Sequence, residues 1–202
     1  MTVKRRTQDE RSAGTRAALI AAARPLFTRH GFAAVGTEAI VQAAGVTRGA
    51  LYHQFADKTE LFAAVFEQVE QELAERLIAI VVPVEATDPL GGLRLGAAAW
   101  LDASAEPEVQ QIALLDAPAV LGWERWREIG MRYGLGLVEG VLQAAIDAGQ
   151  VPAQPVRPLA HVFIGALDEA ALYVARAADR EQARAEIGAV VSRLIDATAQ
   201  PG

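Results

Sequence analysis

The chain has 202 residues, 52% of them apolar, and a formal net charge of −6. That length and apolar content suit one large helical domain or two small ones, and the absence of cysteine excludes disulfide frameworks, thiolate catalysis and cysteine-based zinc sites. The charge is uneven: residues 1–60 carry nine Lys or Arg against five Asp or Glu, leaving +4 there and −10 over the rest.

Residues 1–12 read as a flexible basic arm, polar and without the apolar core of a signal peptide. A first helix is expected from about Thr15 to His30, with Leu19, Ala23, Leu26 and Phe27 on one face and Gly31 ending it. Pro25 sits awkwardly inside it, because proline removes a ladder bond and can kink a helix. Short helices follow at about 37–44 and 48–55. A fourth opens at Asp57-Lys58-Thr59-Glu60, a capping box, and continues through Leu61, Val65, Val69, Leu73 and Leu77 to about Val82, roughly 37 Å at 1.5 Å per residue.

Asp88-Pro89 starts the next helix with a cap and a proline at its first position. Further helices are expected over 89–104, 107–117, 122–148, 157–178 and 180–198, punctuated by Pro107, Pro118, Pro152, Pro155, Pro158 and Gly149. Almost no alternating strand pattern is present, so the fold class is all-α, with about nine helices and a seam near residue 57. The longest apolar run, from Leu77, stops at Pro83, so no membrane span is expected and the protein is assigned to the cytoplasm.

Helix 37–44, a turn around Gly45 and helix 48–55 outline a helix-turn-helix. Gly45 suits the positive φ of a tight turn, and Thr47 can cap the second helix. Ile40, Ala44, Val46, Leu51 and Phe55 are spaced to face the first helix, which leaves Arg48, Gly49, Tyr52 and His53 on the open face. Arg48 can hold phosphate or grip guanine, Gly49 admits a close backbone approach, and Tyr52 and His53 can hydrogen-bond phosphate or base edges. Thr37 and Lys58 stand at helix N-termini, where phosphates are favoured. The basic head fits the same reading, although a solvated surface has the same composition. Lys4, Arg5 and Arg6 are either a minor-groove arm or a solvated tail.

The stretch GFAAVGTEAIVQAAGVTRGALYHQFADKTELF resembles the DNA-binding segment of the TetR family of bacterial transcriptional regulators. Gly31, Phe32, Ile40, Ala44, Gly45, Val46, Thr47, Gly49, Leu51, Tyr52, Phe55, Lys58 and Leu61 all match the family pattern. Three positions depart from it: Val41 replaces a small Ala, Gly36 stands where Ser or Thr caps the second helix, and Pro25 lies inside the first. The resemblance covers residues 13–73, with the helix-turn-helix at 37–56, and implies a helical ligand-binding and dimerisation domain over 74–202. The implied function is a repressor that binds palindromic operator DNA as a homodimer and is released by a small-molecule effector.

For the dimer, the candidate contacts are Leu159, Phe163, Leu167 and Val174 on one C-terminal helix, with Ile187, Val191 and Leu194 on the last. The alternative is that these stripes only close the monomer core. For an apolar effector, Trp100, Trp123, Trp126, Met131 and Tyr133 are the candidate lining. Gly130, Gly134, Gly136 and Gly140 fall inside one helix, either for close packing or to leave space for a ligand, since each costs roughly 1 kcal/mol relative to Ala. Asp116 is either a ligand anchor or a solvated helix end. No catalytic constellation, metal-ligand spacing or cofactor is expected: His30, His53 and His161 are scattered, and GLGLVEG at 134–140 lacks dinucleotide-loop spacing. The rival reading is a helical module whose basic head holds an acidic protein.

Overall fold

A computed structural model of the chain describes residues 8–199. They form nine α-helices and one wider, π-helical segment, with no strand among them. Helix α1 runs Gln8–Ala34, so residues 8–12 are helical where an arm was expected, while Lys4, Arg5 and Arg6 lie outside the described residues. Pro25 does not interrupt it. The break falls instead at Gly31, whose φ of 73° and ψ of 162° take the chain out of helical geometry.

Helices α2 (Thr37–Ala44) and α3 (Arg48–Gln54) are joined by Gly45 at φ 65°, ψ 30°, a left-handed cap that donates to the carbonyl of Gln42. The carboxylate of Asp57 caps α4 (Lys58–Glu85) by accepting from the Glu60 amide at 2.9 Å. This helix runs on past Val82 and carries Pro83 inside its last turn. Then come α5 (Pro89–Ser104), the π-helical segment Val109–Asp116, α6 (Ala117–Leu121), α7 (Trp123–Asp147), α8 (Val156–Arg176) and α9 (Arg180–Asp196). A single helix was expected over 107–117; its i→i+5 winding, marked by Ala117 N donating to Ile112 O, is the difference.

Two apolar cores result. The first gathers Leu19, Ala23 and Phe27 of α1, Ile40 of α2, Leu51 and Phe55 around α3, and Leu61, Phe62, Val65 and Phe66 of α4. Phe62 meets Phe27 and Phe32 edge-on, with ring centroids 5.2 Å apart in both pairs. Val109, Ile112, Ala113, Trp126 and Ile129 belong to the same core, so the expected seam near residue 57 is packed through rather than empty. The second core lies between α5, α7, α8 and α9, around Leu101, Leu142, Phe163, Ala171 and Ile195.

Helix α8 bears on two expectations. It is long and apolar enough, by length and composition alone, to cross a bilayer, with a mean hydropathy of 1.3 and a third of that window buried. It also carries apolar residues on more than one face, and the stripe expected at a dimer contact faces inward: Phe163 and Val174 are buried, as is Val191 on α9. Leu159, Leu167 and Ile187 are half-buried beside that core, and only Leu194 of the expected set is exposed. The exposed apolar residues are Val162 and Tyr173 on α8 with Val190 and Leu194 on α9. Spacing identifies an apolar stripe, but not which of two stripes meets the monomer core.

Candidate nucleic-acid interface and effector cavity

The inner face of α3 is anchored by fully buried Leu51 and by Phe55, over whose ring the Arg16 guanidinium lies at 4.4 Å. Thr47 caps the helix by accepting from the Ala50 amide at 3.2 Å, and the Gln54 side chain donates to Ser12 of α1 at 2.8 Å. These ties fix the rotation of α3 on α1. Arg48, Gly49, Tyr52 and His53 are thereby left exposed together on its outer face. The Arg48 guanidinium sits 5.6 Å from the Tyr52 ring centroid. The Tyr52 phenol is held below its usual pKa by Arg48 first and then by the Thr37 hydroxyl, which links the start of α2 to the same face. Gly36, the cap of α2, supplies no side-chain bond to the amides of that helix.

Lys58 differs from its expected place. Its ammonium donates to the carbonyls of Phe32 at 2.8 Å and Val35 at 2.9 Å, and stands 3.9 Å over the Phe32 ring. The charge closes the loop after Gly31 instead of facing outward. Asp116 likewise is neither a ligand anchor nor a solvated end: its Oδ2 accepts the Phe32 amide at 2.7 Å.

An outward face carrying Arg, Gly, Tyr and His on the second helix of a helix-turn-helix can meet phosphates and base edges in the groove of a duplex. Residues 19–65 match the family described as bacterial regulatory proteins, tetR family. Residues 90–198 match the tetracyclin repressor-like C-terminal domain. The chain belongs to the TetR family of bacterial transcriptional regulators. It is 36% identical to a TetR-family regulator of Pectobacterium atrosepticum, whose structure aligns over 98% of this chain and 100% of that one with a TM-score of 0.85. It is 27% identical to the Transposon Tn10 TetC protein of Escherichia coli over 72% of this chain and 73% of that one. It is 43% identical to the regulator CymR of Pseudomonas putida over 38% of this chain and 37% of that one. The family is one of DNA-binding regulators rather than enzymes.

In this TetR-family chain, α4, α5, α7, α8 and the π-helical segment enclose an apolar cavity of about 110 Å³. Of the five residues read from sequence as candidate lining, Trp100, Trp126 and Tyr133 border it. Trp123 does not: it is 65% exposed and leans on Trp126 with ring centroids 5.0 Å apart. Met131 points to the second core instead. Gly130 and Gly134 border the cavity, whereas a Cβ on Gly134, Gly136 or Gly140 would meet nothing within 4 Å, so close helix packing does not account for these glycines.

Sequence reasoning missed the charged lining altogether. Glu70 of α4, Arg127 of α7 and Asp168 of α8 converge on the cavity, and Arg127 is paired with Asp168. Burial first, and then the charge of Asp168, pushes the Glu70 carboxyl up to about 8. Burial also raises Asp168, to about 6, against the opposing pull of Arg127. Each of the three reads in sequence as an ordinary solvated charge, and only the fold brings them together. Among the described residues no group of three His, Cys, Asp or Glu is placed to hold a metal ion.

Proposed function

We propose that the protein is a repressor: residues 13–73 read a palindromic operator, residues 74–202 dimerise and bind a small-molecule effector, and the effector releases the DNA. The observation that carries this reading is the outer face of α3, where Arg48, Gly49, Tyr52 and His53 stand free while Leu51 and Phe55 hold the helix in the core. Thr37 and Thr47 complete the surface at the two helix N-termini, and Lys58 supports it from behind through Phe32 and Val35. In a cytoplasmic dimer the two α3 helices must lie about 34–36 Å apart to enter successive major grooves. The exposed stripe of Val162, Tyr173, Val190 and Leu194 is the surface on which a second copy docks in an isologous four-helix contact.

Release works through the π-helical segment. Ala113 and Leu114 border the cavity, and Asp116, at the end of the same segment, holds the Phe32 amide of the DNA-binding helices. An effector that fits one setting of this segment better than another shifts the spacing of the two α3 helices, by no more than its difference in affinity for the two states. No catalytic step belongs to this reading.

Selection from a random duplex pool tests it, with the double variant Arg48→Ala, Tyr52→Ala in parallel. The wild type should enrich a near-palindrome that the variant does not. Enrichment of nothing, or equal enrichment by both, would remove α3 as the recognition helix and favour an acidic protein as partner of the basic head.

A further inference from the structure

Almost every polar atom that borders the cavity is already engaged. The Trp100 indole donates to the Leu167 carbonyl at 3.2 Å and the Trp126 indole to the Ala113 carbonyl at 2.9 Å. The Tyr133 hydroxyl meets Glu67 at 3.2 Å, and Arg127 is paired with Asp168. The Glu70 carboxyl is the exception: no described residue donates a hydrogen bond to it. It is half-buried and lines the cavity. Its Oε2 lies 3.8 Å from where a Cβ on Gly130 would sit, so the bare backbone of α7 leaves the carboxyl room.

An unpaired carboxyl in an apolar enclosure is costly to ionise and stays protonated until a positive charge arrives. The other titratable groups that line the cavity with it are Asp168 from α8 and Arg127 and the Tyr133 phenol from α7. From α5 and the π-helical segment the cavity lining brings no titratable side chain. With Arg127 occupied by Asp168, the negative charge of an ionised Glu70 is left without an answer. An anionic ligand would add to it, and a neutral hydroxyl would be served equally well by glutamine.

We infer that the cavity takes a compact apolar amine, its protonated nitrogen against the Glu70 carboxylate and its hydrocarbon among Leu73, Leu77, Trp100 and Trp126. This rests on reading the cavity as the effector site and supplies the chemistry of the effector. A volume of about 110 Å³ is near the ~150 Å³ in which an engineered protein cavity holds benzene, so one ring or a short branched chain fills it. Binding ionises Glu70, and its proton leaves to solvent. Affinity for the amine therefore rises about tenfold per pH unit up to about pH 8.

The test titrates the full chain with benzylamine, benzyl alcohol and benzoate at pH 6, 7 and 8, followed by tryptophan fluorescence. Wild type is compared with Glu70→Gln and with Gly134→Leu, which fills the cavity. Wild type should bind benzylamine at least tenfold more tightly than benzyl alcohol at pH 8. Glu70→Gln should lose that preference while still binding benzyl alcohol, which shows that its cavity is intact, and Gly134→Leu should bind none of the three. If Glu70→Gln binds benzylamine as wild type does, or if the alcohol or benzoate matches the amine, the amine inference is overturned while the effector cavity stands. If no probe binds wild type, both readings fall.

Discussion

The carboxylate of Asp116 accepts the backbone amide of Phe32 at 2.7 Å, while the ammonium of Lys58 takes the carbonyl of the same residue at 2.8 Å. Opposite charges from two parts of the fold thus grip one peptide segment just after the break at Gly31. A half-buried amide left without its acceptor costs about 1–3 kcal/mol. Asp116→Ala should therefore lower the urea midpoint and speed amide exchange at Phe32, and Asp116→Asn, which keeps an acceptor, should do so less. Equal behaviour of the two variants would show that the bond contributes nothing.

Lys58 and Arg48 should separate cleanly in salt titrations. Removing a phosphate contact lowers the slope of log K against log salt by about 0.9. Arg48→Ala should show that loss with unchanged stability. Lys58→Met should keep the slope and instead lose about 1–3 kcal/mol of stability, because two carbonyls lose their donor. Urea unfolding and fluorescence anisotropy at several salt concentrations decide the matter.

On α8, Val162→Glu or Tyr173→Glu should convert the proposed dimer to monomer with the fold intact, as read by sedimentation and circular dichroism. The buried neighbour behaves differently. Phe163→Ala should cost about 3–5 kcal/mol of folding stability through the cavity it leaves. A dimer unaffected by either surface change would move the interface elsewhere.

Stability should fall with pH through the range in which the cavity carboxyls ionise. The folded chain holds the Glu70 proton up to about pH 8 and the Asp168 proton up to about 6, whereas an unfolded carboxyl releases its proton near 4. Between those values the folded state binds more protons than the unfolded, so unfolding free energy decreases as pH rises. Glu60 and Glu72 run the other way: Arg125 and Arg24, respectively, hold their carboxyls low, so their contribution is present above about pH 4 and is lost in acid. Urea midpoints at pH 6 and 8.5 should drop for wild type and drop less for Glu70→Gln.

Gly136 and Gly140 stand in the exposed middle of α7 with open space around them. Alanine at either should gain up to about 1 kcal/mol, or about 2–4 °C in Tm, in a thermal melt. A loss would mean that something absent from the single chain packs there.

Legibility in the sequence followed the range of the forces involved. The bounds of α2 and α5 were readable because local chemistry sets them: Gly45 must turn left-handed, and Asp88-Pro89 can only start a helix. The open face of α3 was readable because its apolar residues are so few that their spacing leaves one alternative. The cavity charges were not, since Glu70, Arg127 and Asp168 meet only after three helices have packed. Neither was the inward stripe of α8, which carries two apolar faces, nor the π winding at Val109–Asp116, which has no composition of its own.

The first apolar core draws Leu19, Ile40, Leu51 and Phe62 together with Val109, Ile112, Ala113, Trp126 and Ile129. Cutting the chain after residue 73 would strip one wall from that core and put its phenylalanines in water. The DNA-binding helices and the segment beneath them share one core, so they should melt together in a single transition and offer a protease no stable fragment to release.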